Sequence, residues 1–342
     1  MTASNPAETA PRRTLDRALE ALPLVLAYVV LCCLYAWQAA QHDSPTIFTD
    51  ELEFAQISRA IAETGEAARR GVPYGFQSLY TFVVAPAWWI DDTASAYEAA
   101  KLIGVLVMTA TIFPAYALAR TIVSKPWALG AAVASAAIPA LSYAPFLVEE
   151  PLAYPVATTA LWLIARALGR PTGWTIAVAG AVCALAVLVR AQLSILIPVL
   201  VLALALAGWQ HPAFRRRRSA WTRSDWVGLV VLGIGAALAL SAFLGHRSEE
   251  WYRATGFYKD RMFDYGLRAL GALVIGIGVL PFVAGLTAVL TRGRDPDRNV
   301  HAFVLTALAA FFTFGVYTAV KAAYLSTEFG TVTVERNLIY VA

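Results

Sequence analysis

The chain has 342 residues, 59% of them hydrophobic and 15% charged, where a soluble domain carries about 25% charged residues. Long unbroken apolar runs without strict alternation exclude a soluble globule, a disordered chain, a secreted disulfide scaffold and an outer-membrane barrel, leaving an all-α polytopic membrane protein. The 27 Lys+Arg against 23 Asp+Glu gather mostly beside apolar segments, which is a topology signal and no pointer to nucleic acid.

A helix needs about 20 apolar residues to cross a bilayer. Nine spans are expected on that basis, near 22–40, 98–119, 126–144, 151–168, 173–189, 191–208, 226–244, 268–290 and 300–320. Arg12, Arg13 and Arg17 keep the tail 1–21 in the cytoplasm, so the first span runs outward as a signal anchor, its apolar core too long for a cleaved signal peptide. The stretch 78–90 is too short to cross and reads as an interfacial or re-entrant helix. That choice sets the parity. It puts Arg120 with Lys125, Arg166 with Arg170, Arg215 to Arg218 with Arg223, and Arg292, Arg294 and Arg298 all on the cytoplasmic side. The expected protein is therefore a multi-pass one of the plasma (cytoplasmic) membrane, with residues 22–342 as one transmembrane domain and an outer loop over 41–97. The last residues, Asn337 to Ala342, read as the opening of a further span, so the chain is expected to continue.

Cys32, Cys33 and Cys183 lie in apolar runs without metal-ligand spacing and read as packing residues, while His42, His211, His246 and His301 are scattered singly. The informative residues are charges at span ends, and under this parity they all face outward: Asp50, Glu51 and Glu53, Lys101, Glu149 and Glu150, Arg190, Glu335 and Arg336. Asp50 opens a helix stopped by Gly65, with Leu52, Phe54, Ile57 and Ile61 as the apolar face of a helix lying on the membrane. Asp50 serves either as an N-cap with Glu53 completing a capping-box pair, or as a general base beside the bilayer. Glu150 before Pro151 serves either as a helix cap or as a ligand group. Arg190 interrupts an apolar run, so it either snorkels to the headgroups or pairs with an anion, for which phosphate is a natural partner. Lys101 carries the same two readings. If Arg190 meets a phosphate, substituting it is expected to weaken use of the ligand that carries that phosphate and to spare folding. Carboxylates also leave room for a divalent metal near Asp50, Glu51 and Glu150, although nothing requires a cofactor. The aromatics of the outer loops, among them Tyr74, Phe76, Tyr80, Phe82, Trp88 and Trp89 in the first and Trp251, Tyr252, Phe257, Tyr258, Phe263 and Tyr265 in the second, fit interfacial belts.

Four stretches together resemble the GT-C superfamily of integral-membrane glycosyltransferases, in particular its bacterial protein mannosyltransferase-like branch. They are Asp50-Glu51 after the first span, Glu150-Pro-Leu-Ala-Tyr-Pro155, Leu188-Val-Arg190, and Glu335-Arg336-Asn337-Leu338, where the family commonly has Tyr at the position of Asn337. The resemblance implies transfer of a sugar from a polyprenyl-phosphate donor to a glycan, lipid or protein acceptor on the outer face, with inversion at the anomeric carbon. It implies Asp50 as catalytic base, with Glu51 and Glu150 orienting hydroxyls and Arg190, Lys101 or Arg336 meeting the phosphate. A secondary transporter is the main alternative, although carriers place charges near the bilayer midplane and often show internal symmetry, neither of which is legible here. A noncatalytic membrane protein is the third.

Overall fold

The computed structural model describes residues 9–41, 49–76, 78–137, 143–210, 219, 222, 223, 226, 227, 259–292 and 296–328. Its elements, in chain order, are α1 (Thr9–Ala39), α2 (Thr49–Thr64), a two-residue ribbon of β1 (Ala68–Arg69) and β2 (Val72–Pro73), and α3 (Leu79–Val84), which runs on as a 3-10 turn over Ala85–Trp89. Then come α4 (Thr93–Thr109), α5 (Ile112–Ala119), α6 (Lys125–Ala136), α7 (Glu150–Gly169), α8 (Gly173–Val189), a 3-10 turn over Ala191–Ile195 and α9 (Leu196–Gln210). Beyond these lie α10 (Lys259–Ile277), α11 (Val279–Arg292) and α12 (Arg298–Glu328). The protein is an all-α helical membrane protein: among the described residues, 5 helices are long and apolar enough to cross a bilayer. These are Glu20–Ala39, Thr93–Ala119, Glu150–Gly169, Ala191–Gln210 and Arg298–Ala323, and each coincides with an expected span.

The remaining expected spans correspond to helices that are shorter or bent, or lie outside the described residues. Over 126–144, α6 ends at Ala136 with Ala137 as its cap, and residues 138–142 lie outside the described ones. Its last carbonyls are met from neighbouring helices: Tyr154 Oη donates to Ser135 O at 3.2 Å and Tyr35 Oη to Ala136 O at 2.8 Å. Over 268–290, α10 and α11 are bent by 107° at Gly278, whose φ of +96° a side chain would not tolerate. The helix over 173–189 forms with 17 residues. The expected span 226–244 lies almost wholly outside the described residues, as do Glu335, Arg336 and the aromatic positions 251–258. Over 78–90, α3 and its 3-10 extension cover only about 16 Å even at full helical rise, which is too short to cross.

The chain divides into two compact units. The first comprises residues up to Trp162 together with Ala181–Ser194, and the second Leu163–Gly180 with everything from Ile195. In the first, Ala128, Ala132 and Ala136 form a fully buried small-residue stripe on α6, the kind that lets membrane helices approach closely without a hydrophobic drive between them. α1 turns Leu22, Leu26, Val30 and Trp37 outward, a face suited to acyl chains. A core of Tyr80, Val84, Ala87, Tyr97, Ala100 and Leu147 lies beneath α2 and α3, with Ala55, Trp88 and Ile103 packed on it. In the second unit, Asp297 caps α12 by accepting from Asn299 N at 2.8 Å. Ala269 and Leu273 on α10 are buried with Leu270 and Phe282 packed against them.

Candidate functional site

Thr49 and Asp50 begin α2, and Gly65 ends it with φ at +77°, its amide bonded to Ile61 O at 2.9 Å. Asp50 sits inside the first turn and is exposed, so the N-cap role considered for it is not the one it fills. Glu51, one residue later and about 100° further round the helix, is 1% exposed. Its Oε1 accepts from Leu147 N at 3.2 Å and from the Tyr97 hydroxyl at 3.4 Å, and its Oε2 has no hydrogen-bond partner among the described residues. Glu53 does not complete a capping box. It accepts from Tyr74 Oη at 2.9 Å and pairs with Arg69 at 3.2 Å, tying α2 to the ribbon. The buried face of α2 is thus Glu51, Phe54, Ile57 and Ser58, whereas Leu52, expected on the apolar face, is exposed.

The acid pair before α7 and the arginine after α8 meet. Arg190 Nη1 lies 2.5 Å from Glu150 Oε1, and its Nε lies 3.6 Å from Glu149 Oε2 and donates to Gln192 Oε1 at 2.9 Å. Arg190 is 3% exposed, so it is an internal counter-ion and not a snorkelling anchor. Glu150 is the first residue of α7 and is 2% exposed. Burial of an acid at a helix N-terminus is made tolerable by the helix dipole together with the guanidinium. Lys101 is likewise internal, at 0% exposed. Its ammonium donates to Ala39 O, the last carbonyl of α1, at 2.9 Å, and pairs with Glu98 at 2.6 Å, so it is no headgroup anchor.

One participant was not singled out from the sequence. Tyr80 on α3 is fully buried, packs edge-on against Phe54 with ring centroids 6.1 Å apart, and its hydroxyl has no hydrogen-bond partner among the described residues. Burial raises the pKa of its phenol, and the nearby Glu150 and Glu51 carboxylates raise it further, so it stays a protonated donor at neutral pH. Ser78 anchors its helix: the hydroxyl accepts from Tyr80 N at 3.1 Å and donates to Val189 O, next to Arg190. Nothing in the sequence separates Tyr80 from the surrounding aromatics except that Tyr80, Val84 and Ala87 share one helical face.

Asp50-Glu51, Glu150 and Arg190 are thereby gathered in one unit with Tyr80 and Tyr97. Arg336 lies outside the described residues. Among the described residues no three metal-binding side chains gather; Glu51 Oε1 bonds Leu147 and Tyr97, and Glu150 Oε1 pairs with Arg190. The chain matches no family model, no curated protein and no solved structure. Chemically, an exposed carboxylate stands one residue from a buried set of carboxylates, one guanidinium and phenols. Such a set suits proton abstraction at its edge and recognition of hydroxyl groups within.

Proposed function

We propose that the protein is a membrane glycosyltransferase that moves a sugar from a polyprenyl-phosphate carrier to a hydroxyl acceptor on the outer face of the cytoplasmic membrane, with inversion. The observation that carries the reading is the convergence of three residues distant in sequence, Glu51, Glu150 and Arg190, around buried Tyr80, with the exposed Asp50 one residue from Glu51.

In this reading Asp50, exposed and able to meet an acceptor, takes the proton of the attacking hydroxyl. The acceptor oxygen forms a bond to the anomeric carbon as the bond from that carbon to the phosphate oxygen breaks. The electron pair leaves with polyprenyl phosphate, already a stable anion, so no general acid is needed. Glu51 and Glu150 orient hydroxyls, and burial makes their contacts worth more than they are in water. Arg190 is the cation for the phosphate, and it reaches that role by exchanging part of its contact with Glu149 and Glu150 for the donor. Lys101 holds α1 to α4, and Arg336 is a further candidate for the phosphate. Transfer from a panel of polyprenyl-phosphate sugars in membranes containing the protein tests the reading. Activity that disappears in Asp50→Asn supports it. Uptake of a solute without any transfer overturns it in favour of a transporter.

A further inference from the structure

The first turn of α2 carries Asp50, and its own backbone holds it least, because the first four amides of a helix have no carbonyl to bond within it. Side chains must hold it instead. Within that turn Asp50 and Leu52 are exposed and Glu51 is buried. Glu51 Oε1 accepts from Leu147 N at 3.2 Å and from the Tyr97 hydroxyl at 3.4 Å. Tyr97 is itself backed by Lys101, four residues on and so on the same face of α4. The Lys101 ammonium lies over the Tyr97 ring, 5.1 Å from its centroid, where a cation is attracted to the π face. The same ammonium donates to Ala39 O at 2.9 Å. One face of α4 therefore grips the last carbonyl of α1 and the first turn of α2, on either side of residues 40–49 that lead into Asp50.

We infer that Tyr97, backed by Lys101, is a positioning residue that holds Asp50 where it can take the acceptor's proton. The inference rests on the glycosyltransferase reading, which gives Tyr97 no part. Neither Tyr97 nor Lys101 needs to meet substrate. The phenol fixes one carboxylate oxygen of Glu51, and the Cα of Asp50 is only about 3.8 Å from that of Glu51. Whatever fixes Glu51 thus fixes the place from which the Asp50 carboxylate projects. A base works only within hydrogen-bond reach of the proton it takes, and a displacement of about 1 Å can cost about 10²-fold in rate. Leu147 N still holds Glu51 when the phenol is gone, so losing the Tyr97 bond loosens the turn without releasing it. The loss falls on turnover and not on donor binding, because Asp50 acts on the acceptor hydroxyl as it attacks. Ser58 supplies the comparison. Its hydroxyl accepts from Trp88 Nε1 at 2.7 Å, about two turns further along α2, and so docks the helix away from its first turn.

The test is transfer of radiolabelled sugar from a panel of polyprenyl-phosphate hexoses and pentoses, in membranes containing the full chain at matched folded levels, with kcat and the donor KM measured separately. The proteins compared are wild type, Tyr97→Phe, Trp88→Phe, Asp50→Asn and the Tyr97→Phe, Asp50→Asn double variant. Tyr97→Phe keeps the ring and its contact with Lys101 and removes only the phenol. It should lower kcat about tenfold and leave the donor KM within about twofold of wild type. Added to Asp50→Asn, it should lower the residual transfer no further, since a residue that acts through Asp50 has nothing left to position. Trp88→Phe should turn over like wild type. Lys101→Met should repeat the Tyr97→Phe pattern on both backgrounds, which keeps the claim testable if either protein fails to fold. An unchanged kcat in Tyr97→Phe overturns the positioning role and leaves the glycosyltransferase reading standing. A raised donor KM at unchanged kcat does the same, as does a full further loss on the Asp50→Asn background. An equal fall in Trp88→Phe assigns the effect to the docking of α2 as a whole and also overturns it. No transfer by wild type from any donor removes the inference together with the reading beneath it.

Discussion

Arg190→Gln should destabilise the protein by about 3 kcal/mol, because it strands a buried carboxylate. The side chains of Arg190 and Glu150 are 4% and 3% exposed and 2.5 Å apart, and removing one partner from such a pair costs about 3–5 kcal/mol. Glu149, 22% exposed and 3.6 Å away, adds less than about 1 kcal/mol after solvent screening. Losing the bond to Gln192 costs about 1 kcal/mol, and a glutamine amide donating to one carboxylate returns about as much. Glu150→Gln should cost about 2 kcal/mol, since Arg190 keeps Glu149 and an amide oxygen to donate to. In the double variant neither charge is stranded, so its cost should fall short of the sum by about 2 kcal/mol. Reversible unfolding in detergent, followed by tryptophan fluorescence, reads all three. Additive costs to within about 0.5 kcal/mol would refute the buried pair. This is a revision of what the sequence suggests, namely that substituting Arg190 would touch donor use alone.

Four further outcomes are expected. Lys101→Met should lower stability by about 2 kcal/mol, because Ala39 O loses a charged donor inside the protein, and unfolding indistinguishable from wild type would contradict that role. Hydrogen bonds from the Ser95 side chain and backbone hold Asp92 below its ordinary pKa, so its capping of α4 is complete above the unfolded value and is lost as pH falls through the folded one. Amide exchange in the first turn of α4 should accelerate across that acidic window in wild type and not in Asp92→Asn. Gly104→Ala presses a Cβ to 3.1 Å from the backbone oxygen of Ala144 and from the Tyr80 hydroxyl, and should cost about 1–3 kcal/mol in the same unfolding assay. A cysteine at exposed position 70 should react with an impermeant reagent applied from outside while one at position 216 does not, and the reverse pattern would invert the topology.

What could be read from the sequence is what local physics decides. The course of α2 from Thr49 to Gly65 follows from an acidic first turn and a glycine stop, and Gly65 takes the left-handed conformation such a stop requires. The buried face of α2 was legible in part: Phe54 and Ile57 are buried as their spacing suggests, whereas Leu52 is exposed and Glu51 is buried. Apolar spacing favours Leu52, but the amide of Leu147 and the hydroxyl of Tyr97, far along the chain, make Glu51 the better residue to bury. Arg190 was conspicuous as a cation within an apolar run. Its pairing with Glu149 and Glu150 is a tertiary contact that no spacing encodes. α6 ends at Ala136, well inside the expected span 126–144, where the hydropathy of the sequence runs on without a break. Gly278 with Pro281 similarly hides a sharp bend inside an apolar stretch.

The central claim is tested most directly by supplying radiolabelled polyprenyl-phosphate sugars to membranes that contain either the wild-type chain or Asp50→Asn, at matched protein levels. The account predicts transfer to an acceptor by wild type and a loss of about 10²-fold or more in the variant, the contribution of a positioned base. The exposed carboxylate and its amide isostere should leave insertion and folding alike. Equal transfer by the two proteins would contradict Asp50 as the base, and no transfer by wild type from any donor would contradict the glycosyltransferase itself.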